Sequence, residues 1–185
     1  MNIEEIISKC IKGDRKSQKE LYNYFKNDLF NLSLKYCSCL SDAEDNLQDS
    51  FIEIFSSIKK YNYKGSFEGW MKRITINKAI DKYKKSIKNS SNEPYLFVDD
   101  TNFDTEEEVL EISVDVILEL VQKLPNQYRI VFNLYQLEGN SHKEIASLLN
   151  ISEGTSKSNY HRAKLILREE ITIMQKKNHK IIKPA

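Results

Sequence analysis

A chain of 185 residues with five Gly and three Pro has room for one ordinary domain or two small ones, and too few turn-forming residues for an all-β fold. No uncharged run approaches the roughly 20 residues that span a bilayer, and Cys10, Cys37 and Cys39 lack neighbours at metal-ligand spacing, which argues against membrane insertion, secretion, a disulfide framework or a zinc site and for a cytoplasmic protein with buried, structural cysteines. The net charge of +1 hides 17 basic against 12 acidic residues over 1–90, none against 10 over 91–119, and 11 against 5 over 120–185; two basic modules around an acidic stretch suit polyanion binding at both ends.

In chain order, Leu21, Phe25, Leu29, Leu32 and Tyr36 recur at steps of four and three, which predicts an amphipathic helix over Lys16 to Tyr36. Ser41-Asp42-Ala43-Glu44 reads as a capping box opening a second helix. Its inner face is Leu47, Phe51, Ile54, Phe55 and Ile58; Asp45, Gln48, Asp49 and Ile52 share the other side. An isoleucine within an acidic face suits a protein contact, and a solvated surface is the plainer alternative.

Ser66 is placed to cap a third helix with Phe67, Trp70, Met71 and Ile74 on its core face. Ten Lys or Arg lie between Lys59 and Lys88 against Glu68 and Asp81, with Tyr61, Tyr63, Phe67 and Trp70 among them. That mixture fits bases stacked beside a phosphate track, or an aromatic core under solvated lysines.

From Asn89 to Asp104 the helical period is lost, so a linker is expected there. Thr105-Glu106-Glu107-Glu108 is a second capping box, leading into a stripe of Val109, Ile112, Val116, Leu120 and Leu124, and Pro125 reads as the first position of the next helix. That helix offers Val131, Phe132, Leu134 and Tyr135 for packing and stops near Gly139.

Then Ser141-His142-Lys143-Glu144 caps a short helix with Ile145, Ala146, Leu148 and Leu149 inside, Asn150-Ile151-Ser152 turns, and a further helix begins at Glu153. This is a helix-turn-helix pattern, in which Asn150 tolerates the left-handed geometry of the turn and Ser152 caps the second helix. Tyr160, Ala163 and Leu167 face inward on its second helix, leaving Lys157, Ser158, His161, Arg162 and Lys164 for a major groove.

Three ordered motifs carry a resemblance. They are Asp42-Ala43-Glu44-Asp45-Asn46-Leu47-Gln48-Asp49-Ser50-Phe51; Phe67-Glu68-Gly69-Trp70-Met71-Lys72-Arg73-Ile74 with Asn77, Ala79, Ile80 and Asp81; and Leu124-Pro125 with Glu144-Ile145-Ala146 and Gly154-Thr155 through Arg162-Ala163. Over nearly the whole chain the sequence resembles the extracytoplasmic-function (ECF) group of the sigma-70 family of bacterial RNA polymerase sigma factors. Ser156 stands where the family usually has an aliphatic residue, and Asn140 where an apolar one is common.

The resemblance implies an all-α, two-domain fold: region 2 over 1–88, an acidic linker over 89–108, region 4 over 109–178 and a tail over 179–185. It implies that Asp45, Gln48, Asp49 and Ile52 dock on the clamp helices of the polymerase β′ subunit. By the same relation Tyr63, Lys64, Ser66, Trp70, Lys72, Arg73, Asn77, Lys78 and Lys82 bind and melt the −10 promoter element. Thr155, Lys157, Ser158, His161, Arg162 and Lys164 read the −35 element, on a domain supported by Leu124, Val131 and Phe132 that meets the β flap.

It further implies an anti-sigma partner, a linker lying in the polymerase cleft, a monomer when free, and no cofactor or metal. A homodimeric repressor or activator is the main alternative, and it would need a self-complementary apolar surface. An enzyme is disfavoured, since His142, His161 and His179 show no metal spacing and no phosphate loop is present.

Overall fold

Helices make up all the regular structure among the residues that the computed structural model describes, 2–89 and 113–181. The chain divides into two units, 1–91 and 92–185. The first holds α1 (Ile3–Ile11), α2 (Arg15–Tyr36), α3 (Leu40–Ser57), a 3₁₀ turn (Ile58–Lys60) and α4 (Phe67–Asn89). The second holds α5 (Val114–Lys123), α6 (Asn126–Gln136), α7 (His142–Leu149) and α8 (Glu153–Ile181).

Helix α1 has no counterpart in the sequence reading, because its charged residues mask a short inner face of Ile6, Ile7 and Cys10. Burial pushes the Cys10 thiol up to about 11, with the charges of Asp14 and Glu20 adding to the effect, so it stays protonated at neutral pH. Cys37 is buried as well, whereas Cys39 is exposed, contrary to the expectation for all three. Gly13, at φ +83°, turns the chain into α2. Asp14 caps that helix by accepting from the Ser17 amide at 2.9 Å and hydroxyl at 2.6 Å.

Along α2, Leu21, Phe25, Leu29, Leu32 and Tyr36 are all buried, as their spacing predicts. The Ser41–Glu44 capping box does not form. Only Cys37 to Cys39 link α2 to α3, so the chain enters the helix at Leu40 with Cys39 as an N-cap that makes no side-chain hydrogen bond. Ser41 is by then within the first turn, where its hydroxyl no longer reaches an orphan amide.

The core of this unit joins Leu21, Phe25 and Leu29 of α2 to Leu47, Phe51 and Ile54 of α3 and to Phe67 and Met71 of α4, with Ile6 and Ile7 closing one side. Through this apolar packing runs a polar seam. Asn46, 1% exposed, donates its side-chain amide to Ser33 Oγ at 2.9 Å and to the Thr75 carbonyl at 3.2 Å, while Ser33 donates to the Leu29 carbonyl at 2.8 Å. One amide thus fixes the register of α2, α3 and α4.

In the second unit Leu120, Val121 and Leu124 pack with Tyr128 and Phe132 of α6 and with Ala163 and Leu167 of α8. Pro125 is the cap of α6 rather than its first residue: its ψ of 142° is extended, and its carbonyl accepts from the amides of Tyr128 and Arg129 at 3.0 Å. The Thr105–Glu108 box, Val109, Ile112, the linker beyond Asn89 and the tail beyond Ile181 lie outside the described residues.

Helix α6 ends at Gln136, and Gly139 at φ +71° redirects the chain. The Ser141 box is formed, with the Glu144 amide donating to Ser141 Oγ at 3.3 Å and the Ser141 amide donating to Glu144 Oε2 at 2.8 Å. Asn150 ends α7 in the left-handed conformation, φ 58° and ψ 47°. Two residues on, Ser152 caps α8 by accepting from the Thr155 amide at 2.9 Å.

Candidate polymerase and nucleic-acid interfaces

On α3 the inward set and the outward set separate as their periodicity requires. Leu47, Phe51 and Ile54 are buried, while Asp45, Gln48 and Asp49 are exposed and Ile52 is 68% exposed. The result is a polar, acidic ridge with one exposed aliphatic side chain, an isolated exposure that is ordinary on a protein surface.

The stretch between the 3₁₀ turn and α4 is built on aromatic contacts. Tyr61 packs on Phe67 at 5.0 Å and on Trp70 at 5.6 Å, and its hydroxyl donates to the Gly65 carbonyl at 2.9 Å. On that platform Tyr63 takes φ +60°, a conformation bulky side chains avoid, and presents a ring that is 56% exposed, 4.9 Å from Tyr61. Ser66 caps α4 by accepting from the Gly69 amide at 3.0 Å, and a Cβ at Gly69 would sit 3.0 Å from that hydroxyl.

The nine residues assigned to the −10 element do not share one face. Ser66, Trp70, Arg73 and Asn77 follow steps of four, three and four along one stripe, with Arg73 and Asn77 exposed. Lys72 bridges to Glu68 at 2.6 Å. Lys78 reaches Glu53 at 3.1 Å, and Lys82 reaches Asp42 at 3.3 Å and Asp45 at 3.4 Å, so both lysines lean toward α3. The pairings of Glu53 and Asp42 with these lysines escaped the sequence reading, because pairs 25 or more residues apart leave no local period.

On α8 the buried side is Ser156, Ala163 and Leu167 with Tyr160 half-buried beside them. Opposite lie two stripes: Lys157, His161 and Lys164, and Thr155, Ser158 and Arg162. Lys157 pairs with Glu153 at 2.9 Å, and this hydrogen bond holds the Glu153 carboxyl below its ordinary value. Arg162 donates to the Tyr128 hydroxyl at 3.4 Å. Ser156, a departure from the family pattern in the sequence, has its hydroxyl 3.0 Å from His142 Nδ1.

Among the described residues no helix is long and apolar enough to cross a membrane, and no group of three His, Cys, Asp or Glu is placed to hold a metal ion.

Residues 21–88 match the family model for Sigma-70 region 2, and residues 115–167 match that for Sigma-70, region 4. The ECF RNA polymerase sigma-E factor of Haemophilus influenzae is 26% identical over 179 residues, covering 91% of this chain and 94% of that one. The ECF RNA polymerase sigma factor SigW of Bacillus subtilis is 28% identical over 188 residues, covering 92% and 97%. Solved structures that the chain matches include the sigma factor RpoE of Bartonella quintana in complex with the anti-sigma factor NepR, at TM-score 0.48 and 18% identity over 84% of this chain and 96% of that one. Another is CnrH in complex with the cytosolic domain of CnrY, at TM-score 0.47 and 17% identity over 91% and 96%. Two matched regions in order along the chain, the second ending in a formed helix-turn-helix, place this protein in the ECF group of sigma-70 factors, non-catalytic regulators that direct promoter transcription.

Proposed function

We propose that this chain binds the core RNA polymerase and directs initiation at promoters by reading the −35 element as duplex with α8 and by holding the −10 element melted on the first unit. The observation that carries the reading is α8 itself: its inward residues pack, and Lys157, Ser158, His161 and Arg162 stand on the opposite side of a capped helix-turn-helix, the disposition a major-groove reader needs. Residues 1–88 act as region 2 and 109–178 as region 4, with the acidic segment 89–108 running through the polymerase cleft.

Asp45, Gln48, Asp49 and Ile52 dock on the β′ clamp helices, and the second unit meets the β flap. The Tyr63 to Ser66 loop and the Trp70, Arg73 and Asn77 stripe take an unstacked base of the non-template strand, with Lys64, Lys72, Lys78 and Lys82 drawn to its phosphates. Extruding a base costs a few kcal/mol, which stacking on an aromatic pocket offsets, so no nucleotide hydrolysis is needed. An anti-sigma protein, as in the family, restrains the free monomer in the cytoplasm.

Run-off transcription with bacterial core polymerase on a promoter library tests this reading. New promoter-specific starts that depend on the protein support it and deliver the motif. DNA binding with no polymerase-dependent initiation points instead to a dimeric regulator.

A further inference from the structure

Ser156 is 0% exposed, yet it carries a hydroxyl, and that hydroxyl lies 3.0 Å from Nδ1 of His142, the first residue of α7. The imidazole is stacked on Tyr135 near the end of α6, with ring centroids 4.4 Å apart and planes at 15°, and stands edge-on to Tyr160 of α8 at 5.8 Å and 61°. Tyr160 in turn donates to Gln136 Oε1 of α6 at 2.9 Å. A single ring therefore meets all three helices. Its partner Ser156 sits between Thr155 and Lys157, two residues of the outer face of α8.

We propose that His142 and Ser156 are a positioning pair that sets the rotation of the recognition helix, and with it −35 specificity, through one hydrogen bond. This rests on the reading of α8 as the −35 reader. A hydrogen bond is directional where an apolar contact is not. Turning α8 about its axis would break the bond to Ser156 and swing Thr155 and Lys157 off the bases together.

The surroundings favour the neutral ring. His142 begins a helix, where the backbone dipole opposes positive charge. Burial lowers its pKa below the ordinary histidine value, Lys157 adds to the effect and Glu153 opposes it. The titratable and charged groups about the ring are Tyr135 on α6, Glu153, Lys157 and Tyr160 on α8, and Lys143 and Glu144 on its own helix. Because the folded value lies below an unfolded value of about 6.5, the ring is neutral above that pH; on protonation Nδ1 can only donate, and the Ser156 hydroxyl then accepts.

The test measures affinity of the full chain for the −35 duplex selected in the run-off experiment and for a scrambled one, at about pH 7.5, and reads their ratio. General attraction to phosphate acts on both duplexes and cancels. His142→Phe and Ser156→Ala each lower the ratio about fivefold, the worth of one hydrogen bond.

The double variant His142→Phe/Ser156→Ala loses no more than either single variant, because both remove the same bond. A native ratio in either single variant, or simply additive losses in the double variant, would overturn the pair. So would a His142 Nδ1 resonance in the free native chain that shows no hydrogen bond to Ser156, a measurement that needs no variant. Absence of −35-dependent binding by the native chain defeats the promoter reading itself, whereas failure of the pair alone leaves −35 recognition intact.

Discussion

Lys82 Nζ lies 3.4 Å from Asp45 Oδ2, so a residue assigned to promoter DNA touches one assigned to polymerase. Asp42 completes the cluster at 3.3 Å. Burial works against the charge on Lys82, but hydrogen bonds to Asp42 and Asp45 outweigh it and hold its pKa above the ordinary lysine value. Such half-exposed bridges contribute at most about 1 kcal/mol. Their effect is to orient the ammonium along the acidic ridge.

The ridge yields the first prediction. Asp49 is exposed on α3, one turn from Asp45 and beside Ile52, so reversing its charge changes stability by no more than about 0.5 kcal/mol. Asp49→Lys is expected to abolish association with core polymerase at an unchanged melting midpoint. Retained co-purification with the core enzyme would remove α3 from the docking surface.

Arg162 is half-buried and donates to the hydroxyl of the buried Tyr128 of α6, which orders its side chain beside α8. Arg162→Ala should weaken binding to an intact −35 duplex by about 1–3 kcal/mol, the usual worth of one good base contact. Binding to a scrambled duplex should change little. Equal affinity of variant and native protein for both duplexes would refute the assignment.

Asn46 makes a prediction about stability. Its amide serves Ser33 Oγ and the Thr75 carbonyl where water does not reach, so Asn46→Ala should cost roughly 2 kcal/mol through stranded acceptors and a small cavity. Asn46→Asp should cost more, because it puts an acceptor and a potential charge against acceptors. Denaturant melts followed by circular dichroism give both values, and midpoints matching the native protein would deny the seam any structural role.

Tyr63 sets stability against function. A left-handed conformation costs a non-glycine residue roughly 1–2 kcal/mol, and the exposed ring at φ +60° recovers little of it by burial. Tyr63→Gly is therefore expected to leave the melting midpoint unchanged or raised while reducing open-complex formation, read by permanganate reactivity of the −10 thymines. A variant that melts lower and opens promoters normally would show that the conformation serves folding alone.

Much of this architecture was legible because its signals are local. The stripes of α2 and α3, the Ser66, Ser141 and Ser152 caps and the left-handed Asn150 each depend on residues within about one helical turn, and a one-dimensional pattern carries that information. The misplaced starts of α3 and α6 are failures of the same local logic. At Ser41 the short link from α2 overrode the capping box, and at Pro125 the carbonyl acted as a cap although the ring suits the first helical position.

What the amino-acid sequence by itself determined is therefore the helical class, the helix-turn-helix and the faces on which Asp49 and Arg162 lie. Only the tertiary structure decided which charges meet and which polar groups are buried. Glu53 and Lys78 are 25 residues apart, Asn46 and Thr75 are 29 apart, and Ser156 finds His142 across 14 residues and a turn. Helical periodicity places a side chain on a face but says nothing of what another helix brings to it, and a buried hydroxyl on an otherwise apolar face is specified by its distant partner.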